Sequence, residues 1–403
     1  MKKIIFIGEG CWFIDSLLYF KEQNVQVYVL LTQKRLRCFE KNIDILKDFG
    51  YEIYQNIEDV YPLLDKDTII LGGGNFAGDV ETINYGDDFK GRSQEELEVL
   101  YNLSKYNKNK GCGAKTIRYF NGDTGWASEA MIRFFDKNIT YVDLLIFDNE
   151  SLMEYVKENI PSANNKKCCI GWIETPLDRF VVHNINKIKK RIVSLGRSLC
   201  CLNAEEMKYK ELPISFYPID KKSVSFFCKK WRKFLGMKWS YSLAGQALPQ
   251  KIYEDRKLFQ KAEGVTAFGL SHMYDCFLVS PEEFTKNKKY YFSLEGQRKK
   301  LSKKSPKECY YAFVNSPNKE ACYLMNGIIP LISNTQNSYY KQMLEKKMAI
   351  LIKTPKDLEK VLKMSRKEIQ KYRDNIYNNR YMFTFETVGN MIMNEFGDYS
   401  PNS

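Results

Sequence analysis

The chain has 403 residues, of which 44% are hydrophobic, 14% aromatic and 28% charged. This globular balance excludes a mostly disordered, collagen-like or coiled-coil chain, and the length allows about two or three domains. The net charge is +13, from 62 Lys and Arg against 49 Asp and Glu. No apolar run approaches the roughly 18 residues that a membrane span needs, and the stretch Ile4–Gly8 is too short for the core of a signal peptide. We therefore expect a cytoplasmic protein.

Cysteine usage argues against a metal site. The eleven cysteines are scattered, with adjacent pairs only at Cys168-Cys169 and Cys200-Cys201. There is no C-x-x-C and no Cys/His cluster at zinc spacing. In a reducing compartment these side chains are expected to act as small buried hydrophobic groups, so we expect no metal and no cofactor.

Charge and periodicity divide the chain into two halves. Residues 1–185 hold 22 Lys and Arg against 28 Asp and Glu, whereas residues 186–403 hold 40 against 21. In each half, short apolar runs alternate with helical patterns, which is typical of a parallel sheet covered on both faces. The sequence thus predicts two α/β domains facing each other across a cleft, over 1–185 and 186–380.

The predicted elements follow in chain order. The first half contains strands at Lys3–Gly8, Val25–Leu31, Thr68–Leu71, Thr116–Phe120, Leu144–Phe147 and Cys168–Ile173, with helices at Asn42–Phe49, Glu95–Tyr106 and Ser151–Asn159. The second half contains strands at Lys190–Leu195, Val265–Gly269, Cys276–Ser280, Tyr310–Val314 and Ile328–Ile332, and a strongly helical stretch from Pro355 to Arg380.

Glycine-rich turns follow two strands of the first half. Gly8 and Gly10 flank Glu9 after the first strand, and Gly73, Gly74 and Asn75 follow the strand at Thr68–Leu71. Glycine lets the backbone turn tightly and approach a ligand closely, and strand tips in open α/β sheets are the usual place for ligands. We predict that these residues line the acceptor side of a cleft. A tight strand–helix turn at Gly8 and Gly10 is the alternative.

Asp123 lies in the turn Asn121–Trp126, which follows the strand at Thr116–Phe120. A carboxylate at such a strand tip could take a proton from an acceptor or hold a sugar hydroxyl. The alternative is an Asx turn, in which the Asp side chain caps the local backbone.

Two polar turns in the second half suit an anionic ligand. Gly196-Arg197-Ser198 follows the strand at Lys190–Leu195, and the planar Arg fork matches a diphosphate. Position alone favours an ordinary surface Arg over a ligand contact. Asn318, Lys319 and Glu320 open a short helix, where free N–H groups could hold a phosphate and Glu320 could accept from sugar hydroxyls. A plain N-cap is the alternative there.

The C-terminal half resembles the donor-binding half of GT-B-fold glycosyltransferases, especially the large retaining family that uses nucleotide sugars. Residues 320–334, E-A-C-Y-L-M-N-G-I-I-P-L-I-S-N, resemble its "E-A-x-x-x-G-x-P-x-I-x-S" unit. Residues 349–359 resemble its "G-x-L-V … D-x-x-x-L-A" stretch, and residues 371–386 its "R-x-N-A … F-S-W-E" ending. Gly196-Arg197 matches the turn that binds donor phosphate. The resemblance spans roughly residues 188–390.

This resemblance implies a two-domain GT-B fold of Rossmann-like domains, with a helix over 381–403 crossing back to the first domain. It implies a nucleotide-sugar donor held by Arg197, Ser198, Asn318, Lys319, Glu320 and Gly327. Asp123 would be catalytic and would face the acceptor. It also implies metal-free stabilisation of the leaving group. Two positions depart from the family: Cys322 replaces the ribose-binding Glu, and Leu202 replaces a phosphate-binding Lys.

Two weaker resemblances concern other GT-B-like enzymes. Gly72–Asn75 resembles the "G-G-G-N" strand tip of polysaccharide pyruvyltransferases, and Asp148–Ser151 resembles their "R-D-x-x-S", with Phe147 in place of the Arg. The "R-x-H" expected before Gly327 is missing. Separately, three segments fall in the same order as in phage DNA glucosyltransferases, namely 119–123, 196–197 and 327–330.

The basic half predicts an anionic partner. Residues 221–240 contain seven basic residues and no acid, and on a helix Phe227, Trp231, Phe234 and Leu235 would share one face. This pattern is typical of an interfacial helix on an anionic membrane. Nucleic acid is the competing partner. The alternative without a partner, a solvated basic face with a core-facing aromatic stripe, fits the pattern at least as well.

The sequence therefore predicts a metal-independent hexosyltransferase. It would move a sugar from a nucleotide-sugar donor to a glycan or lipid-linked acceptor, in surface polysaccharide or glycoconjugate synthesis, in the cytoplasm or peripherally on the inner face of the membrane. A DNA-base glycosyltransferase, a polysaccharide pyruvyltransferase and a non-catalytic GT-B scaffold are the alternatives.

Overall fold

The computed structural model of the protein describes twelve ranges of the chain, and the structural statements below concern these residues alone. They are residues 1–8, 14–31, 47, 50–73, 99–120, 135–171, 188–195, 214–217, 265–270, 319–332, 338–352 and 355–396.

The elements are numbered here in chain order. The strands are β1 (Lys3–Gly8), β2 (Gln26–Leu30), β3 (Glu52–Tyr54), β4 (Thr68–Gly73), β5 (Lys115–Phe120), β6 (Leu144–Phe147), β7 (Lys167–Ile170), β8 (Ile188–Leu195), β9 (Ile214–Tyr217), β10 (Val265–Leu270), β11 (Ile329–Ile332) and β12 (Ile350–Leu351). The α-helices are α1 (Ile14–Glu22), α2 (Val99–Lys110), α3 (Glu150–Asn159), α4 (Lys319–Met325), α5 (Ser338–Glu345), α6 (Pro355–Lys363), α7 (Arg366–Asn378) and α8 (Phe385–Asn394). Short 3-10 helices lie at Ile57–Leu63, Pro161–Ala163 and Arg380–Phe383.

The chain divides into two compact units. The first comprises Met1–Pro176 together with Met382–Ser403, and the second comprises Leu177–Tyr381. Each unit contains one of the two sheets.

The described strands of the first unit form a parallel sheet in the order β3-β2-β1-β4-β5-β6-β7. Its central strands are continuous apolar runs, and Leu144–Phe147 is buried at all four positions. Such runs are typical of parallel strands covered on both faces. At Gly72 in β4, a Cβ would come within 2.8 Å of the Leu100 side chain of α2. Close helix packing therefore requires this glycine.

The helix α8, near the C-terminus, belongs to the first unit and packs against α1. The ring of Phe385 meets Tyr19 and Phe20 edge-on, with centroids 5.5 and 5.4 Å apart. Tyr19 also lies over Gly389, where a Cβ would come within 2.5 Å of the ring, and it donates a hydrogen bond to Asn390. An aromatic contact thus holds a helix from the end of the sequence against the first helix.

The described strands of the second unit form a parallel sheet in the order β12-β11-β10-β8-β9. Its core includes Ile192, Phe268, Ile329 and Leu331, all fully buried. The helix α4 precedes β11 in the chain and presents the buried ring of Tyr323 to the sheet.

Replacing Gly269 by Ala is expected to destabilise the second unit by about 1–3 kcal/mol, because a Cβ in β10 would lie 2.7 Å from three ring atoms of Tyr323. Chemical denaturation measures the loss. The double variant with Tyr323→Leu should recover part of it, since the smaller side chain makes room. An unchanged denaturation midpoint in Gly269→Ala would contradict this packing.

Most of the predicted strands are confirmed with shifts of a few residues, and the predicted α/β class is confirmed. The strongly helical stretch predicted over Pro355–Arg380 is confirmed and consists of two helices, since α6 ends at Lys363 and α7 begins at Arg366. Ser365 caps α7: its hydroxyl accepts from the Glu368 N–H, and the Glu368 carboxylate accepts from the Ser365 N–H. The predicted strands Cys276–Ser280 and Tyr310–Val314 lie outside the described residues, as does all but Lys47 of the predicted helix Asn42–Phe49.

Candidate functional site

The first sheet has a topological switch point between β1 and β4, where the strand order reverses direction. Ligands of open α/β sheets bind beyond the carboxyl ends of the strands at such a point. Gly8 and Gly73 end these two strands and are partners in the parallel register. Two of the predicted cleft residues are therefore neighbours at the switch point, where the strand ends carry no side chain. Gly10, Gly74 and Asn75 lie outside the described residues.

The neighbouring strands β5 and β6 end in register, with Phe120 opposite Phe147. Asp123 follows Phe120 by three residues and lies outside the described residues. The chain leaving β6 is joined to the end of β5, because the N–H of Asp148 donates to the carbonyl of Phe120 at 3.3 Å.

Asp148 directly follows β6 and is a carboxylate at this edge that the predicted site does not include. Its Oδ1 accepts from the Nδ2 of Asn149 at 2.7 Å, while the Oδ1 of Asn149 accepts from the Leu152 N–H at 2.9 Å and caps α3. Asp148 is 4% exposed and Asn149 2% exposed. A signal for it exists in the sequence, since a polar pair directly follows the apolar run of β6 and precedes a helix.

The second sheet has its switch point between β8 and β10. β8 ends at Leu195, and the next residues in the chain are Gly196, Arg197 and Ser198. These three residues lie outside the described residues, so the structure shows only the strand end that precedes them. Their contact with a donor phosphate stays a prediction.

Glu320 lies in the first turn of α4 and is fully buried. Its Oε1 accepts from the hydroxyl of Tyr340 on α5 at 3.1 Å, and Tyr340 is also fully buried. The carboxylate therefore joins two helices of the second unit, and the predicted contact with a donor ribose is not tested. Asn318 lies outside the described residues, and Lys319 is described only as the first residue of α4.

Gly327 ends α4 in the left-handed region, with φ of 61°. The Gly327 N–H donates to the Leu324 carbonyl and the Ile328 N–H to the Tyr323 carbonyl, both at 2.9 Å, which is the Schellman pattern. The Nη1 of Arg373 on α7 donates to the Gly327 carbonyl at 3.1 Å, and burial lowers the pKa of Arg373 to about 10. Gly327 precedes the amino end of β11, so its observed role is in the turn, and the donor contact stays a prediction.

Two further features concern metals and membranes. Within the described ranges, no three His, Cys, Asp or Glu side chains come together as a set of metal ligands. None of the described helices combines the length and apolar character needed to cross a membrane. The basic segment 221–240 lies outside the described residues.

No protein-family model and no curated protein matches the sequence. Among solved structures, HepE from Anabaena in complex with UDP and glucose aligns over 99% of this chain and 100% of its own, with a TM-score of 0.56 at 8% identity. The chain has the GT-B fold. The predicted pair of Rossmann-like units is thereby confirmed, and the low identity limits the likeness to the fold.

Two other GT-B structures align over comparable lengths. UGT89C1 from Arabidopsis thaliana, complexed with UDP-L-rhamnose, is 11% identical over 98% of both chains, with a TM-score of 0.44. A putative UDP-N-acetylglucosamine 2-epimerase from Listeria monocytogenes is 9% identical over 100% of this chain and 98% of its own, with a TM-score of 0.48.

Proposed function

We propose that this GT-B protein is a glycosyltransferase that moves a sugar from a nucleotide-sugar donor to a hydroxyl of a glycan or lipid-linked acceptor. The observation that carries the proposal is the pair of parallel sheets, each with a switch point beside a glycine-bearing strand end or turn. The whole-chain likeness to HepE, solved with UDP and glucose, supports the same ligand class.

The second unit is proposed to hold the donor. β8 borders the switch point, and Gly196 is the next residue in the sequence, where a glycine would let the backbone approach a diphosphate closely. Arg197 would form paired hydrogen bonds with the diphosphate and neutralise the charge that develops on it as the sugar leaves. Ser198 and the first residues of α4 are the further predicted donor contacts.

The first unit is proposed to hold the acceptor. Gly8 and Gly73 are register partners at the carboxyl ends of β1 and β4, at the switch point of its sheet, and Asp123 follows β5 by three residues in the sequence. In the proposed reaction the acceptor oxygen forms a bond to the anomeric carbon, and the bond from that carbon to the diphosphate oxygen breaks. Asp123 takes the proton of the acceptor hydroxyl.

The test is a thermal-shift series of the purified protein with UDP-, GDP-, CMP- and TDP-sugars. A ligand at about 100 times its Kd stabilises the native state by about 2.7 kcal/mol, which corresponds to a shift of about 3–6 °C in Tm for a chain of this size. We expect one nucleotide class to give this shift and Arg197→Ala to abolish it.

Arg366→Ala is the matched control, because Arg366 is an exposed Arg of the same unit on α7. It should retain the shift. If no nucleotide sugar raises the Tm of the wild-type protein, the proposal is wrong, and phosphoenolpyruvate and duplex DNA become the ligands to test.

A further inference from the structure

The helix α7 runs across the amino ends of the strands in the second sheet. Its residue Arg373 binds the Gly327 carbonyl, just before β11, and the Nδ2 of Asn375 donates to the Lys347 carbonyl, just before β12, at 3.2 Å. At its other end, Glu368 is close enough to Lys190, the third residue of β8, for the lysine charge to lower its pKa. In the strand order β12-β11-β10-β8, α7 therefore passes beneath four strands.

The outward side of this edge carries more cations than acids, since α7 contributes only two exposed acidic side chains, Glu368 and Asp374. We define the amino-edge surface by six cationic side chains, all exposed, from α7, from the start of β8 and from the turn before β12: Lys190, Lys346, Lys347, Arg366, Lys367 and Lys371.

The placement of Arg366 and Lys367 is unfavourable for α7 itself. Both lie in its first turn, where the helix dipole favours acidic side chains. Glu368 offsets part of this repulsion. Hydrogen bonds from the hydroxyl and N–H of Ser365 lower its pKa, and the charges of Lys371 and Lys190 act in the same direction. Because the capping box already satisfies this helix end, the remaining cations are not needed for the fold, and departures of this kind tend to mark functional surfaces.

We propose that the amino-edge surface docks the protein on an anionic lipid bilayer. Lys and Arg side chains at an anionic membrane each strengthen binding, and a bilayer can meet all the cations of one exposed edge together. Docking of this kind is independent of the proposed function, because a bilayer at this edge serves as an anchor and is not a substrate that must reach the carboxyl edge.

The location of the surface favours a bilayer over a nucleic-acid substrate. The strand β8 has eight residues and spans about 26 Å, so the amino edge lies about that far from the carboxyl edge at which the donor is proposed to bind. A polymer held as the substrate must reach the carboxyl edge. A bilayer at the opposite edge leaves the carboxyl edge open.

The experiment measures sedimentation of the full-length protein with vesicles of phosphatidylcholine alone or with about 30% phosphatidylglycerol. The test variant is Arg366→Gln/Lys367→Gln/Lys371→Gln. The matched control is Lys66→Gln/Lys110→Gln/Lys115→Gln, which removes the same charge from exposed lysines of the first unit. Because all six side chains are exposed, both variants should fold, and their Tm values establish this.

We expect the wild-type protein to bind the anionic vesicles and not the neutral ones, with binding lost at about 1 M salt. Each removed cation should lower the partition coefficient about fivefold, so the test variant should lose about 100-fold. The partition coefficient of the control variant should fall by less than about 10-fold. Soluble glycerol phosphate at matched ionic strength should not release the wild-type protein, which separates a bilayer from a free phosphate ligand.

Equal binding by the wild type and the test variant, or equal losses in the two variants, would overturn the proposal. So would a test variant that loses binding to duplex DNA and keeps binding to vesicles. The donor-induced Tm shift tests the proposed function separately. If the protein binds anionic vesicles but no nucleotide sugar raises its Tm, the docking proposal is supported and the glycosyltransferase proposal is contradicted.

Discussion

Gly327→Ala is expected to lower the free energy of unfolding by about 2–4 kcal/mol. The φ of 61° at this position costs an Ala residue about 1 kcal/mol. The new Cβ would also lie 3.2 Å from the Nη2 and 3.3 Å from the Cζ of Arg373. That guanidinium is 4% exposed and binds the Gly327 carbonyl, so its displacement adds about 1–3 kcal/mol.

Gly111→Ala is a close control for this substitution. Gly111 has φ of 64°, and a Cβ there would meet nothing within 4 Å. In the same denaturation measurement, the free energy of unfolding of Gly111→Ala should fall only by the backbone cost of the positive φ, about 1 kcal/mol. Equal losses of unfolding free energy in the two variants would mean that the Arg373 side chain can move away from the new Cβ at no energetic cost. In that case the buried guanidinium does not hold the turn between α4 and β11.

The central strands could be predicted because their apolar character is continuous. Parallel strands buried on both faces need apolar side chains at successive positions, and Ile4–Ile7 and Leu144–Phe147 satisfy this without any tertiary information. The edge strand Glu52–Tyr54 could not be found in this way, because it has three residues and an exposed or half-buried pattern. The partner β2 stabilises it, not its own sequence.

The break between α6 and α7 shows the opposite situation. The periodic apolar pattern predicts the helical stretch over 355–380, whereas the capping spacing Ser365-x-x-Glu368 marks where the stretch divides into two helices. Here the local hydrogen bonds of the cap outweigh the continuity of the amphipathic pattern.

The site was predicted from strand tips, and the sheet order decides which tips are neighbours. Gly8 and Gly73 are far apart in the sequence, and only the register of β1 with β4 makes them partners. Glu320 illustrates the limit of a motif, because its spacing suggests a ligand contact while its carboxylate is buried against Tyr340. The burial of Glu320 depends on packing with α5, and the motif does not include the residues of that helix.

Asp123→Asn is expected to lower the rate of sugar transfer by about 10²–10⁴-fold, the usual contribution of a general base. The substitution keeps the size of the side chain and its ability to cap an Asx turn, so the fold and the turn should be retained. It removes only the capacity to accept a proton. The donor-induced Tm shift should therefore persist, because the donor is proposed to bind the second unit.

The measurement is release of the nucleoside diphosphate from the donor identified by thermal shift, with water or an added sugar as the acceptor. Asp67→Asn serves as the control, since Asp67 lies just before β4, at the amino edge of the same sheet. An unchanged rate in Asp123→Asn would show that another group takes the proton. Asp148 would then be the next candidate, because it is joined to the end of β5 and its carboxylate is held by the cap of α3.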